Sequence, residues 1–237
     1  AQRILDEFNR GKAMLTELGG SIGGRLRIGT SHHIGLHRLP PVLSEFTETY
    51  PGVELDIHFM DSEEACVAVD RGELEVAIAT LPESPFPQLE TRLIWVDQLL
   101  FVVGTGHPLA DQTGLGVDEL AIHRAIMPAR GTVTRDILDK ALIPYNTRLQ
   151  IKMESNYLET IKMMVSVGLG WSLLPESMCE GLHSVSVADL QLQRKLGIAW
   201  KKDRTLSNAA RMFMAGCERS SASLRARNSK DANAECE

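Results

Sequence analysis

GRLRIGTSHHIGLHRLPPVLSEFTETYPGVELDIHFMD, residues 24–61, decides the fold. Arg25–Thr30 (RLRIGT) reads as a short strand. Pro40–Tyr50 reads as a helix: its prolines suit a first turn, Val42, Leu43 and Phe46 give it an apolar side, and Tyr50-Pro51-Gly52 stops it. Val53–Met60 alternates as VELDIHFM and predicts a second strand. Beyond it, Ser62–Arg71 predicts a helix with Ser62 as N-cap and Gly72 just past its end. Glu75–Thr80 (EVAIAT) predicts a third strand. A β-α-β-α-β order requires crossovers, and so a parallel sheet flanked by helices.

Upstream, Ile4, Leu5, Phe8, Leu15 and Leu18 recur at near-helical spacing, so residues 2–18 read as an amphipathic helix weakened at Gly11. GGSIGG at 19–24 reads as a hinge, which puts a boundary near Gly24. Downstream, LPESPFP at 81–87 is turn-rich, and Leu89–Val103 reads as two extended runs broken near Asp97–Gln98. A second alternation follows. Ala125–Met127, Leu149–Glu154 and Trp171–Leu174 are strands, and Val133–Leu142 and Tyr157–Val167 are helices. Leu196–Trp200 is a late strand and Ser207–Cys217 a last helix. SSASLRARNSKDANAECE, at the end, is polar and reads as disordered. Two alternating lobes place a ligand between them, at strand carboxyl ends and helix N-termini.

The 237 residues suffice for one large domain or two small ones. Asp and Glu outnumber Lys and Arg, for a net charge of −6, which argues against this chain alone gripping a phosphate backbone. Four scattered cysteines without a CxxC suit a reducing cytoplasm, not a disulfide framework or a zinc knuckle. No apolar run reaches the ~18 residues that span a membrane, and the first residues lack a signal peptide's apolar centre. The missing initiator Met reads as truncation.

Residues 24–61, together with DRGELEVAIATLP, LLFVVGTGHPLA and SNYLETIKMMVSVGLGWSLLPESM, resemble the effector-binding domain of LysR-type transcriptional regulators. The resemblance runs from about Arg25 to about Cys217. It implies an α/β, two-lobed fold like the type 2 periplasmic binding proteins, each lobe a doubly wound mixed sheet with flanking helices. Residues 1–23 would be the end of the linker helix and a hinge, 24–96 plus 196–218 lobe I, 97–195 lobe II and 219–237 a disordered tail. The family's winged helix-turn-helix would lie before residue 1, so promoter DNA and RNA polymerase would be met only through the full-length protein. Dimers and tetramers are implied, with apolar residues of Pro41–Tyr50 and Val133–Leu142 at an interface. The implied location is the cytoplasm, without membrane contact.

Thr30, Ser31, His32 and His33 bring two hydroxyls, two imidazoles and backbone N–H groups to the end of the first strand, a set suited to a carboxylate or another hydrogen-bonding effector. The resemblance places effector contacts on this loop; the plain alternative is a helix cap with surface histidines. Thr80 ends the third strand and faces the same expected cleft, or satisfies a turn. Arg130, Gly131 and Thr132 open a lobe II helix, where the resemblance sets them opposite Ser31. Arg130 could grip a carboxylate in two-pronged fashion or be a solvated surface residue. Thr132 could cap the helix, and so could Asn156.

Other chemistries find less support. His33 and His37 are four apart, but the prolines suggest a helix that starts only after His37, and no nearby Cys, Asp or Glu completes a metal set. No metal or cofactor is therefore expected. Cys66 reads as a small core residue, not a redox sensor. No GxSxG, no GxGxxG after the first strand and no acid–base pair point to catalysis. The expected function is small-molecule sensing, the molecule an organic acid or another anion. The alternative, on the same fold, is a solute-binding protein for transport.

Overall fold

The computed structural model describes residues 22–83, 86–112, 114–188 and 190–234, with side chains as far as residue 223. The expected linker helix and nearly all of the hinge, like Cys236, lie outside the described residues. The described residues of Ala1–Ala79, Pro85–Trp95 and Gly197–Glu237 form one compact unit, and those of Thr80–Ser84 and Val96–Leu196 a second.

In the first unit, β1 (Gly24–Thr30) leads into a six-residue helix α1 (His32–His37) and then α2 (Pro40–Thr49), β2 (Val53–Phe59), α3 (Ser62–Arg71) and β3 (Val76–Thr80, whose last residue falls to the second unit). β1 pairs in parallel with β2, Ile28 opposite Ile57, and with β3, Ile28 opposite Val76. β3 is buried throughout, as a central parallel strand must be when helices cover both faces. Ala65, Val69, Leu74, Ala77 and Ala199 pack together under α3.

β4 (Leu89–Val103) is one unbroken strand, and its course past Asp97–Gln98 corrects the expected break. Asp97 is buried, its carboxylate held by Arg194, so the polar pair that suggests a turn in the sequence sits inside a ladder.

The second unit continues with α4 (Val117–Ala121), β5 (Arg124–Met127), α5 (Val133–Leu142), β6 (Gln150–Glu154), α6 (Leu158–Ser166), β7 (Ser172–Pro175) and β8 (His183–Val185). β4 takes β7 and β8 as antiparallel partners, so Phe101 lies opposite both Leu173 and Val185. β5 and β6 form a parallel pair. Trp171, Phe101, Leu120, Leu138 and Leu173 anchor the main core here; Val102, Ile126, Ile161 and Val165 form another. β9 (Leu192–Lys201) runs on from this unit into the first, where α7 (Asn208–Ala234) packs Phe213 against Phe46 of α2 with ring centroids 5.3 Å apart.

Three further expectations change. Residues from 219 to Ala234 are not a disordered tail but the continuation of α7. No Gly or Pro follows Gly216 to stop it, and Ser221 is buried with its hydroxyl donating to the Ile94 carbonyl at 2.5 Å. Helix also forms ahead of the prolines: α1 already spans His32–His37, and Pro40 opens the second helix instead of the first. The cap of α3 is Asp61, not Ser62; Gly72 ends α3 at φ 77° as expected.

Candidate functional site

The candidate residues stand at strand ends, in two groups, one in each unit. In the first unit the β1 register ends with Thr30, fully buried between Phe59 of β2 and Ile78 of β3. Ser31 follows with φ −75° and ψ 154° and is the N-cap of α1, its carbonyl accepting from Gly35 N at 2.9 Å. Its hydroxyl makes no cap hydrogen bond. The expected alternative of a plain side-chain cap at Ser31 therefore does not hold. His32 lies against Phe59 with ring centroids 5.3 Å apart. His33 is buried, and its ring centroid is 4.8 Å from that of His37, one turn on. Since α1 carries both, the expectation that no helix spaces these two imidazoles is corrected.

In the second unit, Thr80 is buried at the end of β3, and the next amide, Leu81 N, donates to Lys195 O at 2.8 Å. Arg130 is exposed, and Gly131 has φ 87°, a left-handed turn that favours glycine. Thr132 is the N-cap of α5: its Oγ1 accepts from Arg135 N at 3.4 Å and donates to Ala129 O at 2.9 Å. Asn156 is not a helix cap. Tyr157 is the N-cap of α6, and Asn156 Oδ1 instead accepts from Ala129 N at 3.1 Å. That bond ties the loop after β6 to the loop after β5, which gathers Arg130, Gly131, Thr132 and Asn156 in one place.

Sequence reasoning missed two buried arginines. Arg135 on α5 is 2% exposed, with Nε donating to Asp139 Oδ1 at 2.9 Å and Nη1 to Glu154 Oε1 at 3.0 Å and to Pro128 O at 3.1 Å. Burial disfavours its charge, but the hydrogen bonds to Asp139 and Glu154 outweigh that and hold its pKa above the usual value. The i,i+4 spacing to Asp139 was a legible signal. Arg194 donates to Asp97 Oδ2 from Nε at 3.2 Å and from Nη2 at 2.9 Å, a pair 97 residues apart that no local pattern announces.

The three thiols among the described residues are poor redox candidates. Burial, with Glu63 adding, pushes the Cys66 pKa up to about 11. Burial, with Glu176 adding, raises Cys179 to about 11, and burial with Glu218 raises Cys217 to about 12.

Parallel strands with crossover helices, recurring in two units joined through long strands, and polar loops where those strands end define a type 2 periplasmic-binding-like α/β domain. The chain belongs to the LysR substrate binding domain family, whose model matches residues 19–221. It is 26% identical over 219 residues to YybE, an uncharacterized HTH-type transcriptional regulator of Bacillus subtilis, covering 90% of this chain and 73% of that one. It is 31% identical over 196 residues to YwbI, another such regulator of the same organism, covering 81% and 65%, so the match spans only part of each relative. Among solved structures, the effector binding domain of QuiR in complex with shikimate superposes with a TM-score of 0.75 at 19% identity, covering 85% of this chain and 98% of that one. The regulatory domain of CcmR from Synechocystis, in complex with 2-PG, gives a TM-score of 0.74 at 21% identity, covering 83% and 96%. These likenesses establish the fold. Among the described residues no helix is long and apolar enough to cross a membrane.

Proposed function

We propose that this chain is the effector-sensing domain of a LysR-type transcriptional regulator, and that its effector is a small organic acid or a similar anion. The observation that carries the proposal is the pair of polar loops at strand ends, one per unit, in a chain of this family. On the first, Ser31 sets a hydroxyl free of cap duty beside Thr30, His32 and His33. On the second, the Ala129–Asn156 bond gathers Arg130, Gly131 and Thr132 with Asn156. Thr80 is proposed as a further contact. Hydroxyls, imidazoles, a guanidinium and backbone N–H groups together suit a carboxylate. The QuiR and CcmR domains, in complex with shikimate and with 2-PG, support a small molecule as the ligand.

In this proposal, effector binding favours one arrangement of a homodimer or homotetramer, and the bias reaches promoter DNA and RNA polymerase through the full-length protein's winged helix-turn-helix. The proposed location is the cytoplasm. The regulators similar to this chain are named for transcription, not for catalysis, and no enzymatic step is proposed.

A thermal-shift screen of the chain against organic acids, amino acids, sugar phosphates, amines and neutral sugars tests the proposal. An effector at a hundredfold excess over its Kd adds about 2.7 kcal/mol to stability. The expected hit is an anion whose shift shrinks in Ser31→Ala. A hit indifferent to Ser31→Ala removes the first loop from the site, and a response to amines or neutral sugars alone overturns the anion class.

A further inference from the structure

We infer that the second unit carries an additional anion site, built around Arg135 and separate from the Ser31 loop, that takes a small carboxylate with an apolar body. A concavity of about 590 Å³ opens beside α5, the Asn146–Leu149 turn and β6. Its cationic wall is Arg130, Arg135 and Arg148, and Leu142, Leu149 and Ile151 line its apolar floor. Arg135 is nearly inaccessible and rigidly held: Nε and Nη1 are spent on Asp139, Glu154 and Pro128 O. The described residues give its Nη2 no acceptor, so that nitrogen keeps two N–H donors for a ligand.

The charge balance points the same way. Asp139 and Glu154 are both engaged by Arg135. Among the described residues, Arg130 and Arg148 have neither an ion pair nor a hydrogen bond, so three guanidiniums against the carboxylates of Glu154 and Asp139, which also lines the concavity, leave one net positive charge. A carboxylate satisfies the Arg135 donors and offsets this charge, and an aliphatic or aromatic body covers the leucine and isoleucine floor. Arg130 stands both in this concavity and in the second strand-end loop, so the two proposals share that residue, and this one is carried by Arg135 and Arg148. The inference does not depend on the proposed effector site.

A methyl-detected NMR titration of the intact chain with 3-phenylpropionate, and with propionate for comparison, tests it. Saturable shifts are expected at the Leu142, Leu149 and Ile151 methyls, with 3-phenylpropionate binding about tenfold more tightly for the buried ring. Arg148→Ala should weaken binding about tenfold, the size of one charge-assisted contact. Arg148 is exposed and has no partner among the described residues to lose, so the variant folds. Ser31→Ala should leave the titration unchanged. No shift at those three residues, shifts that persist undiminished in Arg148→Ala, or shifts lost in Ser31→Ala would each overturn the site. A failed effector screen with this titration intact would discount the sensing proposal alone.

Discussion

Ser31 and Thr132 each precede a helix, yet their hydroxyls are differently employed. Thr132 Oγ1 both accepts from Arg135 N and donates to Ala129 O, whereas Ser31 makes no cap bond. Thr132→Ala should therefore cost about 1 kcal/mol of stability in urea unfolding, and Ser31→Ala close to nothing. For effector affinity the order reverses, with Ser31→Ala costing about 1–3 kcal/mol if a buried hydrogen bond is lost. Equal stability losses would contradict the distinction. The Thr132 cap was legible, because a threonine before an apolar-periodic run has one common use. Asn156 was not, since the partner that takes its side chain, Ala129, is 27 residues away. The Arg194–Asp97 pair was hidden for the same reason. With side chains 5% and 1% exposed, it should lose about 3–5 kcal/mol in Arg194→Met, which strands a buried carboxylate. A smaller loss in the double variant with Asp97→Leu, measured by the same unfolding curves, would show the cost to be the stranded charge.

At the scale of elements, β7 begins where Gly170 lets the chain pass the Arg124 carbonyl. A Cβ there would collide with Arg124 O, which belongs to backbone and cannot swing aside. Gly170→Ala should lower stability by about 1–3 kcal/mol, seen as a lower melting temperature. The second unit also carries a pH response. His107, close to His123, has its pKa lowered below 6.5, first by burial and then by the neighbouring imidazole. The folded chain thus resists a proton that the unfolded chain accepts. Its contribution is present above pH 6.5 and is lost as pH falls from there through the lower folded value. His107→Gln should flatten the stability curve over that interval, and an unchanged slope would exclude His107 as its source. Strands and helices with a clean period, such as Val53–Phe59 and Val133–Leu142, were legible to within a residue. α1 and the far half of α7 were not. Fewer than two turns give no periodicity to read, and a polar helix is held by contacts such as Ser221 with Ile94 that composition does not reveal.

At the scale of the molecule, the βαβαβ order written in residues 24–80 was enough to imply a parallel sheet, because crossover connections leave few other topologies. β4 runs without a turn through the change of unit at Trp95–Val96, so no turn signal marks it in the sequence, and the lobe bounds at 96 and 97 came from the resemblance alone. The function was legible only as a class: ordered segments mark the family, while the effector's identity depends on a few loop residues that many sequences would accommodate. The thiols narrow the class. With Cys66, Cys179 and Cys217 all raised to about 11 or 12, labelling of these three by a thiol reagent at neutral pH, followed residue by residue, should be slow until the chain is unfolded. Fast labelling of any of these three in the native chain would reopen redox sensing. The central claim, an anionic effector held by strand-end loops, is tested most directly by hydrogen–deuterium exchange with and without the organic acid that most raises the melting temperature. The account predicts slowed exchange at Thr30–Ile34 and at Ala129–Val133. Binding that leaves both segments unchanged, with protection elsewhere, would contradict it.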